Sequence, residues 1–158
     1  MSVTKDTQKD VDLLNASLGG EYFGIAAYDA AMGSGLLEDG VRAVAQKFQN
    51  DHKEHAERFQ AAVIDLGGEP ARSKSWDEYA AEFPPPPLEN QADILRYAAT
   101  LEESGASASV ASIGEFSSPA LAQMVASIAG VEAMHWSVLL GALGDDPVPV
   151  STIPLPSA

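Results

Sequence analysis

The chain has no cysteine, which removes disulfides as staples and thiolates as metal ligands and says little about compartment. Basic residues are scarce as well. Nine Lys and Arg against 23 Asp and Glu leave a net charge of −14. Nucleic-acid binding needs a basic face for the phosphates, so this balance argues against such a partner, and it disfavours anionic membrane surfaces. A strongly acidic surface keeps a protein soluble and attracts cations. Aromatic residues make up only 7% of the sequence while alanine is abundant, a composition that favours closely packed helices. No stretch approaches the ~20 consecutive apolar residues of a membrane span. The opening residues, Met-Ser-Val-Thr-Lys-Asp, hold no apolar signal core. The expectation is therefore a cytoplasmic protein with no membrane partner, export of a longer precursor being left open.

What is present is enough for one domain. A length of 158 residues with 46% hydrophobic content can bury a real core. Four apolar stripes with spacings of three and four residues predict four helices. The first covers residues 7–33 through Val11, Leu14, Leu18, Glu21, Ile25, Tyr28 and Met32, and Gly33-Ser34-Gly35 ends it. The second starts near Glu38, runs through Val41, Ala45, Phe48, His52, His55, Phe59, Ala62 and Leu66, and stops at Gly67-Gly68-Glu69-Pro70. The third follows Asn90 as N-cap and carries Leu95, Ala98, Glu102, Ala106, Ser109, Ile113 and Phe116. The fourth follows Ser118, a cap before Pro119, and carries Leu121, Val125, Ile128, Glu132, His135, Leu139 and Ala142.

Short links within each pair predict two antiparallel hairpins. Residues 67–89 are too many for a tight turn. They contain a capping box, Ser75-Trp76-Asp77-Glu78, which predicts one or two helical turns over 76–82, then a stiff proline run from Pro84 to Pro87. A connection of this length can cross the whole bundle and leave the second and third helices parallel. The expected architecture is all-α: a four-helix bundle over residues 1–143, with 67–89 as crossover and an extended proline-rich tail over 144–158.

The chemistry sits on the seam. All three histidines fall in two motifs, His52-Lys53-Glu54-His55 and Glu132-Ala133-Met134-His135. A spacing of three puts both ends of each motif on one helix face. Each motif follows a lone acid at nearly constant distance: Glu21 lies 31 residues before His52, and Glu102 lies 30 before Glu132. Glu54, Glu57 and Glu103 are expected on solvated faces. Glu21, Glu102 and Glu132 instead keep register with Leu, Val, Ile and Phe. A buried unpaired carboxylate costs several kcal/mol or changes its protonation. A metal ion removes the conflict by neutralising the acids and ligating the imidazoles. The candidate ligands are Glu21, His52, His55, Glu102, Glu132 and His135. Tyr28 and Trp136 are expected to pack. The run Gly105-Ala106-Ser107-Ala108-Ser109 either lets helices approach closely or leaves room above the metals for a small oxidant.

At these residues the chain resembles the ferritin-like superfamily of four-helix-bundle metal carboxylate proteins, in which two helices each supply one Glu and the other two supply Glu-x-x-His. Leu-Gly-Gly-Glu21-Tyr and Ala-Thr-Leu-Glu102-Glu give the lone acids, Glu132-Ala-Met-His135 is a full Glu-x-x-His, and Asp51-His-Lys-Glu-His55 followed by Leu66-Gly-Gly-Glu-Pro70 looks like the second helix and its exit. The resemblance spans residues 8–143 and is nearest to the small bacterial ferritin-like domain proteins. It implies iron, one or two ions, with zinc or manganese as alternatives. It also implies a homodimer, and an enzyme that oxidises Fe²⁺ or activates a small oxidant, dioxygen or peroxide. The alternative is a non-catalytic protein with a structural, stress-response or assembly role.

His52 departs from the pattern, because it stands where the family has Glu. Three carboxylates do not neutralise two divalent ions, and Asp51 in an outer position, or a hydroxide, would have to make up the difference. Added nitrogen ligands also shift preference from manganese toward zinc or copper.

Overall fold

The computed structural model describes residues 5–156. Five α-helices follow in order: α1 (Lys5–Gly33), α2 (Asp39–Asp65), α3 (Trp76–Glu82), α4 (Gln91–Ser112) and α5 (Pro119–Leu143), with one turn of 3₁₀-helix, Ile113–Glu115, between the last two. The described residues contain no strand.

Helix ends fall where local chemistry demands them. Gly67 and Gly144 adopt φ of 77° and 80°, the left-handed conformation that ends α2 and α5 and that other L-residues resist. The Asn90 side chain caps α4 by accepting from the backbone N–H of Asp93. Ser75 and Glu78 form a complete capping box on α3, so the expected turns over 76–82 are a helix in their own right. One expected cap differs. Ser118 makes no side-chain cap bond, and α5 starts on Pro119, whose missing N–H needs no partner at that position.

Two apolar clusters fix the direction of every long helix. One joins Leu14 and Leu18 of α1, Phe59 and Val63 of α2, and Val125 and Ile128 of α5, with Ile113 beside them. The other joins Tyr28 of α1, Ala45 and Phe48 of α2, Ile94 and Leu95 of α4, and Trp136 and Leu139 of α5. Hence α1 and α5 start at the first cluster, while α2 and α4 start at the second. The hairpins α1/α2 and α4/α5 are antiparallel, and α2 runs parallel to α4. The crossover leaves the first cluster at Leu66 and Ala71 and arrives at the second at Leu88, having travelled the length of the bundle. Midway, α3 lies against α1, where Trp76 stacks on Phe23 at 6.1 Å between ring centroids and Tyr79 meets it edge-on at 5.2 Å.

Phe59, Leu14 and Val63 are fully buried. Each such side chain contributes about 1.5–3 kcal/mol relative to exposure. α5 is long and apolar enough to span a bilayer on length and composition alone. Its inner face carries Glu132 and His135 and packs into both clusters, as the core helix of a bundle does. After Gly144 the tail is extended. It turns back along the bundle, with the Ser107 hydroxyl donating to the carbonyl of Pro154.

Ala142, on the expected seam, is exposed, and Ile25 and Met32 are only half-buried. The seam is strictest between the clusters, at the level of the histidines, and it relaxes where helices splay or end.

Candidate metal centre

All six candidate ligands are buried, each between 3% and 6% exposed, and they occupy the layer between the two apolar clusters. Glu21 comes from α1, His52 and His55 from α2, Glu102 from α4, Glu132 and His135 from α5. The helical period delivers them. Positions three apart on α2 and on α5 share a face, and α1 and α4 meet that face from the other side.

His52 is the hinge of the network. Its Nδ1 lies 2.7 Å from Glu21 Oε2 and its Nε2 3.2 Å from Glu102 Oε1. His135 Nδ1 lies 3.3 Å from Glu102 Oε2, and its Nε2 reaches Asp51 at 3.0 Å. His55 Nδ1 is 3.5 Å from Glu21 Oε1 and is the one buried side-chain polar atom without a hydrogen-bond partner among the described residues. Two trios of ligand atoms result: Glu21, His52 and His55, and His52, Glu102 and His135. In each trio the atoms lie within 4.8 Å of one another. Two atoms bonded at about 2.0–2.2 Å to a shared ion lie no more than about 4.4 Å apart, and the separations His52–Glu21, His52–Glu102, His135–Glu102 and His55–Glu21, at 2.7, 3.2, 3.3 and 3.5 Å, fall inside that limit. The donor set therefore fits a divalent cation, and the unpartnered His55 nitrogen is the atom that such an ion would satisfy.

Glu132 is buried in the same layer but belongs to neither trio. Its Oε2 accepts from the Ser109 hydroxyl at 3.3 Å, and its carboxylate rests against Gly105, where an added Cβ would stand 2.9 Å from Oε1.

The difference in partners sets the protonation of the three acids. Burial opposes charge on Glu102, but hydrogen bonds from His135 and His52 overcome it and hold the acid down at about 2. Burial likewise opposes charge on Glu21, and the imidazoles of His52 and His55 still lower it. For His52, burial pulls down, yet bonds to Glu102 and Glu21 raise it to about 10. Glu132 gains no such partner. Burial, then the charge of Glu21, pushes it up to about 8. Near neutral pH these shifts place a proton on His52 and on Glu132, which reduces the negative charge buried in the layer.

Several participants were not marked as site residues by sequence pattern. Tyr28 does pack, against Phe48, but its hydroxyl also donates to Glu102 Oε1 at 2.5 Å, and burial followed by the Glu102 charge drives the phenol well above its usual range. Its place on the seam was visible; its bond was not, because seam position carries no hydroxyl direction. Phe48 stacks on His135 with centroids 3.9 Å apart. Gly24 lies under the His52 ring, where a Cβ would come within 3.3 Å of it. Asp51, foreseen as an outer partner, touches His135 and is held below the usual carboxylate range: burial raises it, but Lys47 and His135 outweigh that. Asp10, a second buried acid on α1, serves structure instead by accepting from the backbone and hydroxyl of Ser117.

A ferritin-like domain model matches residues 9–145. The fold is shared with a conserved hypothetical protein, Rv2844, from Mycobacterium tuberculosis, at 18% identity and a TM-score of 0.77, over 94% of this chain and 99% of that one. It is also shared with a protein of Bacillus anthracis str. Ames described as ferritin-like and diiron-carboxylate, at 18% identity and a TM-score of 0.72, over 89% and 99% of the two chains. No curated protein matches the sequence.

Proposed function

The chain belongs to the ferritin-like domain family, and on that premise we propose that it is a metal-binding protein whose bundle core holds one or two iron ions. The ligands in this proposal are Glu21, His52, His55, Glu102, Glu132 and His135. The observation that carries it is the convergence of the two ligand trios from four helices on one buried layer. When bound, iron would supply one-electron chemistry toward dioxygen or peroxide.

The chain's own residues prepare for the ion. Tyr28 fixes one oxygen of Glu102, and Asp51 holds the far nitrogen of His135, so that both ligands keep their orientation. His52 must release a proton before its nitrogen can ligate, and Glu132 must release one to act as carboxylate. A neutral imidazole has one free lone pair, so the two trios compete for His52. One tightly held ion is therefore favoured over a symmetrical pair.

The second reading is a non-catalytic protein whose site is structural. The closed charge network around His52 favours it, because a core that satisfies itself has less need of a metal. Oxygen uptake on adding Fe²⁺ to the metal-free protein separates the two: uptake in proportion to protein supports redox function, and metal binding without uptake supports the structural role. The homodimer is also retained as a proposal. Exposed Val44, Met134 and Val138 support it, and light scattering should give the mass of two chains.

A further inference from the structure

The bundle is not closed above the candidate centre. A cleft of about 700 Å³ opens between α1 and α4, and Glu21, His52, Glu102 and Glu132 line its floor. The volume falls within the ~300–1,000 Å³ of small-molecule sites. The cleft exists because small residues face it from both sides. On α1 they are Ala16, Gly20, Gly24, Ala27 and Ala31. On α4 they are Ala98, Gly105 and Ala108. These follow the helical period, yet the two helices do not close on one another. The tight packing is within the hairpins.

Shape and polarity narrow the occupant. The lining extends along α1 from Leu13 to Ser34, about 32 Å at 1.5 Å per residue. Its walls are predominantly apolar, ending in Leu37, Leu88 and Ile94. About 700 Å³ spread over about 32 Å leaves a mean cross-section of roughly 22 Å², which suits a hydrocarbon chain better than a compact ring. A carboxylate entering it would stand beside the buried acids Glu21, Glu102 and Glu132, and no Lys or Arg among the described residues lines the cleft to pair with it. An ammonium would give up its hydration to apolar walls, and at the floor it would find Glu21 and Glu102 already engaged by His52.

We infer that the α1/α4 cleft is a binding site for an uncharged linear alkyl molecule, laid lengthwise across the mouth of the buried carboxylate–histidine layer. The inference deepens the proposed metal centre, since it supplies the organic molecule that would lie beside it. Only the floor of the cleft is shared with the proposed ligands; its walls are formed by residues that ligate nothing.

Trp76 lines the cleft and reports on it, while Trp136 lies in the core cluster. The experiment titrates 1-decanol and decanoate into the full chain carrying Trp136→Phe, following Trp76 emission, with and without added Fe²⁺. Ala27→Phe and Ala98→Phe fill the cleft in the same background. Neither residue is a candidate ligand, and melting curves and metal content are recorded for every sample. The expected result is saturable binding of 1-decanol, at least tenfold weaker binding of decanoate, and at least tenfold loss in either filled variant with metal content unchanged. No saturable response to 1-decanol, equal binding of decanoate, or undiminished binding in a folded filled variant overturns the inference. If a variant does not fold, the other carries the comparison, and the contrast between alcohol and carboxylate stands on the unfilled chain. Binding of 1-decanol by a chain that takes up no metal overturns the metal centre and leaves the cleft. Metal uptake without 1-decanol binding does the reverse.

Discussion

His52 Nδ1 and Glu21 Oε2 lie 2.7 Å apart in the buried layer between the two apolar clusters. Where the ferritin-like pattern puts a fourth carboxylate, this chain puts a cation. The pair is internal to the protein and complete before any metal arrives. Metal binding must therefore displace a proton, and this sets what each measurement should show.

At pH 7 metal binding should release about two protons per chain if both groups become ligands, one from His52, held at about 10, and one from Glu132, held at about 8. Calorimetry in two buffers of different ionisation enthalpy counts them. Release of none would mean that the ion sits elsewhere.

The metal-free protein should be most stable in mildly acidic solution. The raised His52 contributes stability that is complete below its unfolded value, about 6.5, and is lost as pH rises through about 10. The raised Glu132 acts in the same direction: the unfolded chain gives up that proton from about 4.5 upward, while the folded chain keeps it until about 8. The depressed Glu102 contributes stability present above 4.5 and lost as pH falls toward about 2. Melting temperature should fall from pH 6 to pH 9 in chelator. A rise over that range would contradict these assignments.

Gly105→Ala isolates the role of a single hydrogen atom. Alanine in a helix interior gains about 0.8–1 kcal/mol in propensity over glycine. Here its Cβ would stand 2.9 Å from Glu132 Oε1, so the carboxylate must move. The expected outcome is reduced metal content with little gain in melting temperature of the metal-free chain. Unchanged metal content together with a full propensity gain would show that Glu132 is not held where ligation needs it.

His52→Glu should restore the missing carboxylate. A carboxylate can bridge two ions, whereas neutral imidazole cannot, so the competition between the trios ends. Iron per chain and the rate of Fe²⁺ oxidation should both rise. If both stay at the parent level while His55→Ala loses metal, His52 does not limit the site.

Much of this was legible in the sequence, and for a physical reason. Gly67-Gly68, Pro119 and the Asn90 side chain act on backbone groups within a few residues, so helix ends and the 67–89 crossover are local information. The six polar seam positions stood out because burial there conflicts with ordinary solvation. What stayed hidden depends on distance between helices. The open α1/α4 cleft needs the third dimension, since small residues at seam spacing serve equally for close approach or for a gap. The charge order within the site was hidden too. Glu21, Glu102 and Glu132 look equivalent along the chain, yet only the first two meet imidazoles and keep their charge.

The most direct test is to locate iron itself. Crystals of the metal-free chain soaked with Fe²⁺ should give anomalous scattering at the iron edge within the bundle, with a peak at bonding distance from nitrogen atoms of His52 or His135 and from Glu102 or Glu21, and elemental analysis should give one to two iron atoms per chain. An empty core with iron confined to surface acids, at a stoichiometry that survives removal of His55 and His135, would contradict the account.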